Sequence, residues 1–206
     1  MAGRFKLCVL ASGTGTNLQA ILDTLHGSGG IEVAGVGSDK PGAGALERAA
    51  AAGIAARAFP GAAYPGRAER DAAIAGWAEG LGADLVVLAG YMQLLSAEFV
   101  ARFAGRIVNV HPALLPSFPG LDAIGQALEH GVRVTGVTVH FVDEGVDSGP
   151  IVMQRAVAVP AGRDRGELEA AIHRTEHDLY PEAIRMIAEG RVRIDARNPR
   201  LVVIDE

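Results

Sequence analysis

The chain carries one cysteine, Cys8, in 206 residues. A single thiol cannot close an intrachain disulfide, so a reducing cytoplasm is the expected setting. Cys8 lies inside an apolar run and reads as a core thiol rather than a nucleophile. No Cys-x-x-Cys pair offers a zinc site. Long hydrophobic runs are also missing: the longest, residues 85–89, is far too short to cross a bilayer. The N-terminal apolar run is broken by Ser12-Gly13, so Arg4 and Lys6 ahead of it do not make a signal peptide. No Lys/Arg-rich run occurs and the formal net charge is −5, which argues against nucleic acid as the main partner. A local cationic pocket for a small anion stays open. There is no internal repeat, low-complexity tract or obvious linker.

What is present is enough apolar material for a core: 49% of residues are hydrophobic and 21% charged. The length suggests one domain or two intimate halves. Strand-like and helix-like segments alternate: strands at 7–11, 31–37, 54–59, 85–89 and 107–110, with helices at 17–25, 43–52 and 67–79 and a short one capped by Ser96. The 85–89 run is apolar throughout, as expected of a strand covered on both faces. This rhythm predicts an α/β, Rossmann-like fold with a mostly parallel twisted sheet and helices on both faces. The second half predicts a helix at 121–129, long strands at 132–142 and 151–159, a helix over 163–188 starting near Asp164, and a terminal hairpin.

Ser12-Gly13-Thr14-Gly15-Thr16-Asn17 joins the first strand to a helix. Glycines let the backbone approach an anion, and the helix start points amide hydrogens at it, so the loop is a candidate phosphate cradle. A dinucleotide fingerprint needs a third glycine where Leu18 stands, although Asp39 could imitate the ribose-binding acid. A nicotinamide enzyme therefore remains an alternative. The Walker pattern is absent.

Asn109 and His111 stand two apart at the end of a β-like run, and Pro112 follows. Side chains alternate along a strand, so both project to one side. An amide donor beside an imidazole suits a reaction that builds negative charge on a carbonyl oxygen. The loop 143–150 holds three acids, Asp143, Glu144 and Asp147. On spacing alone it is a solvated turn; lying over the strand end, it would let Asp147 hold and charge the imidazole. Thr138 and His140 share a face of the preceding strand, where His140 reads as a satisfied core histidine. His173-Arg174-Thr175-Glu176-His177 matches an inverted zinc-peptidase pattern, which still needs a third ligand.

Four segments in order make this chain resemble the folate-dependent glycinamide ribonucleotide formyltransferases of purine synthesis. They are Ser12 to Ala20, Leu88-Ala89-Gly90-Tyr91-Met92-Gln93-Leu94-Leu95-Ser96, Asn109-Val110-His111-Pro112-Ala113-Leu114-Leu115-Pro116 with Phe118-Pro119-Gly120, and Gly136 to Val142 leading into Asp147-Ser148-Gly149-Pro150. Their joint occurrence is far more specific than any one motif. The resemblance implies a single formyltransferase domain, with a phosphate-binding half to about residue 100 and a folate and catalytic half beyond it. It implies that 10-formyltetrahydrofolate, as cosubstrate, gives its formyl group to the amine of 5'-phosphoribosylglycinamide, with no metal.

By the same resemblance, His111 is the catalytic acid, Asn109 its partner at the formyl oxygen and Asp147 the carboxylate that raises the imidazole's pKa. Gly15, Thr16 and Asn17 receive the ribose phosphate. Tyr91, Met92, Gln93, Leu94 and Leu95 line the folate pocket, Arg67 is a basic residue near cosubstrate and substrate, and Glu176 is a helix acid near the glycinamide. Gln93 stands where many members carry Arg, which implies a missing charge contact to folate, and 121–125 replaces a stretch that often holds His and Arg. Expected partners are these small molecules alone, with no membrane and no nucleic acid, for a monomer or homodimer. Methionyl-tRNA formyltransferases usually place Arg-Gly after the double-Leu-Pro, unlike Phe118-Pro119-Gly120. Formyltetrahydrofolate hydrolases carry an N-terminal regulatory domain, whereas this chain starts at its first strand; hydrolysis is the alternative within the family.

Overall fold

The computed structural model describes residues 3–205. Nine strands and six helices run in the order β1 (Phe5–Leu10), α1 (Thr16–Leu25), β2 (Ile31–Ser38), α2 (Gly44–Ala51), β3 (Ala55–Ala58), α3 (Arg67–Gly80), β4 (Leu85–Leu88), α4 (Ala97–Arg102), β5 (Ile107–His111), α5 (Ala123–His130), β6 (Val134–Phe141), β7 (Ile151–Ala158), α6 (Arg165–Ala188), β8 (Val192–Ile194) and β9 (Val202–Ile204), with a 3₁₀ turn at Gly61–Ala63. The main sheet has seven strands in the order β3-β2-β1-β4-β5-β6-β7. It is mostly parallel, with β6 and β7 antiparallel. The chain forms two compact units, Met1–Val108 and Asn109–Glu206, and β5 carries the chain from one to the next.

In the first unit the core is the sheet centre. Leu7, Cys8, Val9 and Leu10 of β1 and all of β4 are buried, which explains their unbroken apolar sequence. Burial pushes the Cys8 thiol up to about 12, so it is an inert core group. Leu18, Ile21 and Leu25 of α1 are buried, and Leu22 of the same apolar stripe is half-buried. β2 accepts α3 through its glycines. A Cβ at Gly35 would meet the Trp77 ring at 2.8 Å, and the Phe59 ring packs against that ring tilted by 59°, with centroids 5.5 Å apart. Strand order reverses between β1, whose chain continues to β2 on one side, and β4 on the other. In an open α/β sheet such a reversal opens a crevice at the strands' carboxyl ends.

In the second unit the long helix α6 packs on β6 and β7. Its start is fixed by Asp164, whose carboxylate accepts the Glu167 N–H at 2.7 Å; Arg163 has a positive φ and lies outside the helix. Asp122, also at positive φ, caps α5 by accepting from Gly125 N–H, which starts that helix two residues later than the apolar pattern suggests. The terminal hairpin expected from the sequence pairs β8 with β9 antiparallel. Among the described residues no helix is long and apolar enough to cross a membrane.

Candidate active site

At the β1/β4 reversal two loops meet. Ser12 N–H donates to Gly90 O at 3.0 Å and Ser12 Oγ accepts from Met92 N–H at 2.8 Å, so the glycine loop after β1 is tied to the segment after β4. Gly15 is the N-cap of α1, with φ 77° and no side-chain cap. Only glycine fits there: a Cβ would also stand 2.8 Å from Ala45 Cα. The first amides of α1 are thus offered to a ligand rather than to a capping side chain. Arg48 braces the loop by donating to Thr14 O and Gln19 Oε1, both at 2.8 Å. Gly15, Thr16 and Asn17 form the turn into α1 and its first two helical positions.

Beyond β4, burial alternates. Tyr91 is buried and Gln93 half-buried, while Met92 and Leu94 are 62% and 61% exposed. Leu95 is half-buried. Burial pushes the Tyr91 phenol well above its usual value, against the field of Arg70. Gln93 faces neighbouring polar groups: its Oε1 accepts from Arg70 and its Nε2 donates to Asp39, both at 3.0 Å. Asp39, the candidate ribose acid, is engaged through that bond. Arg67 is exposed at the first position of α3. A cation gains nothing from the positive end of a helix dipole, so its place there adds nothing to helix stability.

In the second unit, Asn109 and His111 stand on β5 and Asp147 in the loop between β6 and β7. The fold brings these three together with His140 of β6. Asp147 Oδ2 lies 3.3 Å from His111 Nδ1 and accepts Gly120 N–H at 2.8 Å. Its Oδ1 lies 3.6 Å from His140 Nε2. Burial alone would raise the Asp147 carboxyl; the His140 contact, the Gly120 N–H and the fields of both histidines outweigh it and hold it below the usual value. His111 Nε2 contacts Phe118 O at 2.8 Å. Both partners of His111 are acceptors.

His140 is the site residue that sequence reasoning left in the core. It is 2% exposed, with Nδ1 2.8 Å from Phe141 O, a contact in which Nδ1–H donates. Its Nε2 stands between Asn109 Nδ2, 3.4 Å away, and Asp147 Oδ1. The signal was its shared face with Thr138. Thr138 Oγ1 donates to Ala113 O at 2.7 Å and accepts from Leu115 N–H at 3.1 Å, pinning the segment after His111 to β6. The Leu115–Pro116 bond in that segment is cis. Asp147 has φ 51°. A non-glycine residue held there is a pointer to function.

Glu176 is buried on α6, in a different element from this cluster. On the same helix, the His173 and His177 rings stack with centroids 6.5 Å apart, and burial followed by the field of His173 lowers the His177 pKa. Among the described residues no group of three or more His, Cys, Asp or Glu is placed to hold a metal ion.

Comparison with known proteins places the chain in a family. A family model described as formyl transferase matches residues 5–184. A phosphoribosylglycinamide formyltransferase of Haemophilus influenzae is 44% identical over 92% of this chain and 90% of its own length. A crystal structure of glycinamide ribonucleotide transformylase 1 from Symbiobacterium toebii superposes with a TM-score of 0.95 at 50% identity, covering 100% of this chain and 96% of that one. The trifunctional purine biosynthetic protein adenosine-3 of Drosophila melanogaster is 44% identical over 93% of this chain, which spans only 14% of that protein's length. From the shared fold, the matched span and relatives of this identity covered over most of their length, the chain belongs to the phosphoribosylglycinamide formyltransferase family.

Proposed function

We propose that the protein transfers the formyl group of 10-formyltetrahydrofolate to the amine of 5'-phosphoribosylglycinamide, giving formylglycinamide ribonucleotide and tetrahydrofolate, in the cytoplasm. The observation that carries this reading is the Asn109–His111–His140–Asp147 cluster in a chain of this family. The glycinamide nitrogen attacks the formyl carbon, and the carbonyl electron pair moves to oxygen. His111 and the Asn109 amide donate to that oxyanion, which replaces the Phe118 carbonyl as the Nε2 partner of His111. One such donor is worth roughly 2.7–4 kcal/mol in the barrier. Asp147, ionised at neutral pH, holds the imidazole through Nδ1. The amine proton passes to the leaving nitrogen, the carbon–nitrogen bond to the folate breaks, and the oxyanion collapses to the new formamide.

Gly15, Thr16 and Asn17 hold the ribose phosphate with backbone amides. Met92 and Leu94 offer exposed apolar surface suited to a flat pteridine ring, with Tyr91, Gln93 and Leu95 behind them. Arg67 supplies positive charge for an anionic reactant, and Glu176 accepts from the glycinamide end. Fixing both reactants lowers the entropic part of the barrier. The test is absorbance of the purified protein with 10-formyl-5,8-dideazafolate, with and without glycinamide ribonucleotide. Deformylation that requires the ribonucleotide is expected. Deformylation without it would assign a hydrolase, and none in either case would refute the reaction.

A further inference from the structure

We infer that Gln93 and Arg70 are positioning residues, forming with Asp39 and Asp71 a polar clamp that sets the 91–96 segment and thereby the affinity for the folate cosubstrate. This rests on reading Met92 and Leu94 as the folate surface. The clamp is a continuous chain of hydrogen bonds within the first unit. Asp39 Oδ2 accepts from Gln93 Nε2 at 3.0 Å, and Gln93 Oε1 accepts from Arg70 Nη1 at 3.0 Å. Arg70 Nε and Nη2 donate to Asp71 Oδ1 at 3.1 and 3.0 Å, and Asp71 Oδ2 accepts Ser96 N–H at 2.7 Å. Ser12 Oγ holds Met92 N–H from the other side.

The energetics point to geometry rather than stability. Arg70 is 5% exposed and Asp71 0%. Desolvating such a pair offsets most of its attraction, so a buried ion pair is weak evidence for stability. Its remaining donors and acceptors run to positions 93 and 96, the two sides of Leu94. Three attachments in five residues, at 92, 93 and 96, keep Met92 and Leu94 in solvent. A rigid segment that presents two apolar side chains is preorganised for a ligand that covers them, because little ordering is left to the binding step. It also gives Gln93 a role that needs no charge: the amide both accepts from a cation and donates to a carboxylate, which an arginine cannot do.

Arg70 itself is a poor probe, because removing it strands the Asp71 carboxylate in the core. Gln93→Glu keeps the acceptor for Arg70 but sets a carboxylate against Asp39. We expect the KM for 10-formyltetrahydrofolate to rise about tenfold, the size of one lost hydrogen bond to a charged partner. The KM for glycinamide ribonucleotide should rise less than about twofold. Adding Asp39→Asn supplies a donor at position 39 and should bring the folate KM back to within about threefold of the parent. Equal rises in both KM values, or no rescue by the second change, would overturn the clamp. Met92→Ala, measured in parallel, separates the two layers. A raised folate KM in Met92→Ala with none in Gln93→Glu sinks the clamp and leaves the folate surface standing. No change in either sinks both.

Discussion

The glycine loop of the first unit and the imidazole–carboxylate cluster of the second present polar groups from different parts of the chain. The loop offers backbone amides at the start of α1, and its defining side chain is the absence of one at Gly15. The cluster offers side chains: two histidines around one carboxylate, with an amide alongside. Backbone donors carry no titratable group, so what the loop itself presents does not change with pH, while an added methyl group at Gly15 would meet Ala45. The cluster differs in that it carries titratable side chains, so its chemistry depends on which atoms are protonated.

Substitutions can break that contrast, and the largest effect belongs to the cluster. His111→Ala should lower kcat by about 10³-fold while the urea unfolding midpoint stays close to that of the parent; near-normal turnover would remove His111 from the chemistry. Asp147→Asn should cost about 10²-fold in kcat. Asparagine tolerates the positive φ of Asp147 as well as aspartate does, so the loss reports charge rather than backbone. The alkaline limb of the pH–rate profile should also move to lower pH in this variant, and an unmoved limb would dissolve the proposed pair.

The loop should respond more gently and to a different change. Gly15→Ala places a methyl group against Ala45 at a positive φ. A rise of about tenfold in the KM for glycinamide ribonucleotide and a loss of about 1–3 kcal/mol of stability are expected. A KM that does not move would show that the phosphate lies elsewhere.

The smallest effect sharpens the contrast through stability. Asp147 is depressed below its ordinary 3.8, so its stabilisation is fully present above that value and is lost as pH falls through the folded-state pKa. The stability gap between the parent and Asp147→Asn should therefore stay constant from neutral pH to about 4 and close only below it. A gap that closed well above about pH 4 would overturn this assignment to the Asp147 carboxyl.

Much of this was legible in the chain. The apolar run of β4 and the stripe Leu18, Ile21, Leu25 declare their elements by period, because burial on two faces or one leaves a direct pattern. The period of two along β5 correctly put Asn109 and His111 together. His140 was not recognised because a buried histidine on a strand has the same local pattern whether it only fills the core or faces a carboxylate. Arg70 and Asp71 were missed because adjacent helix positions do not ordinarily face each other. Only packing against the 93–96 segment gives the pair its purpose.

Sequence by itself determined the α/β alternation, the glycine loop at a helix start and the pairing of an amide with an imidazole, because each follows from local period and local backbone freedom. Tertiary structure decided which of the three acids in the 143–150 loop meets the imidazole, that His140 shares it, and that Gln93 joins a buried cation to Asp39. Those contacts link residues 23 to 54 positions apart, or bring loops onto strands, and no local rule of spacing sets distances between side chains that meet only after the chain has folded.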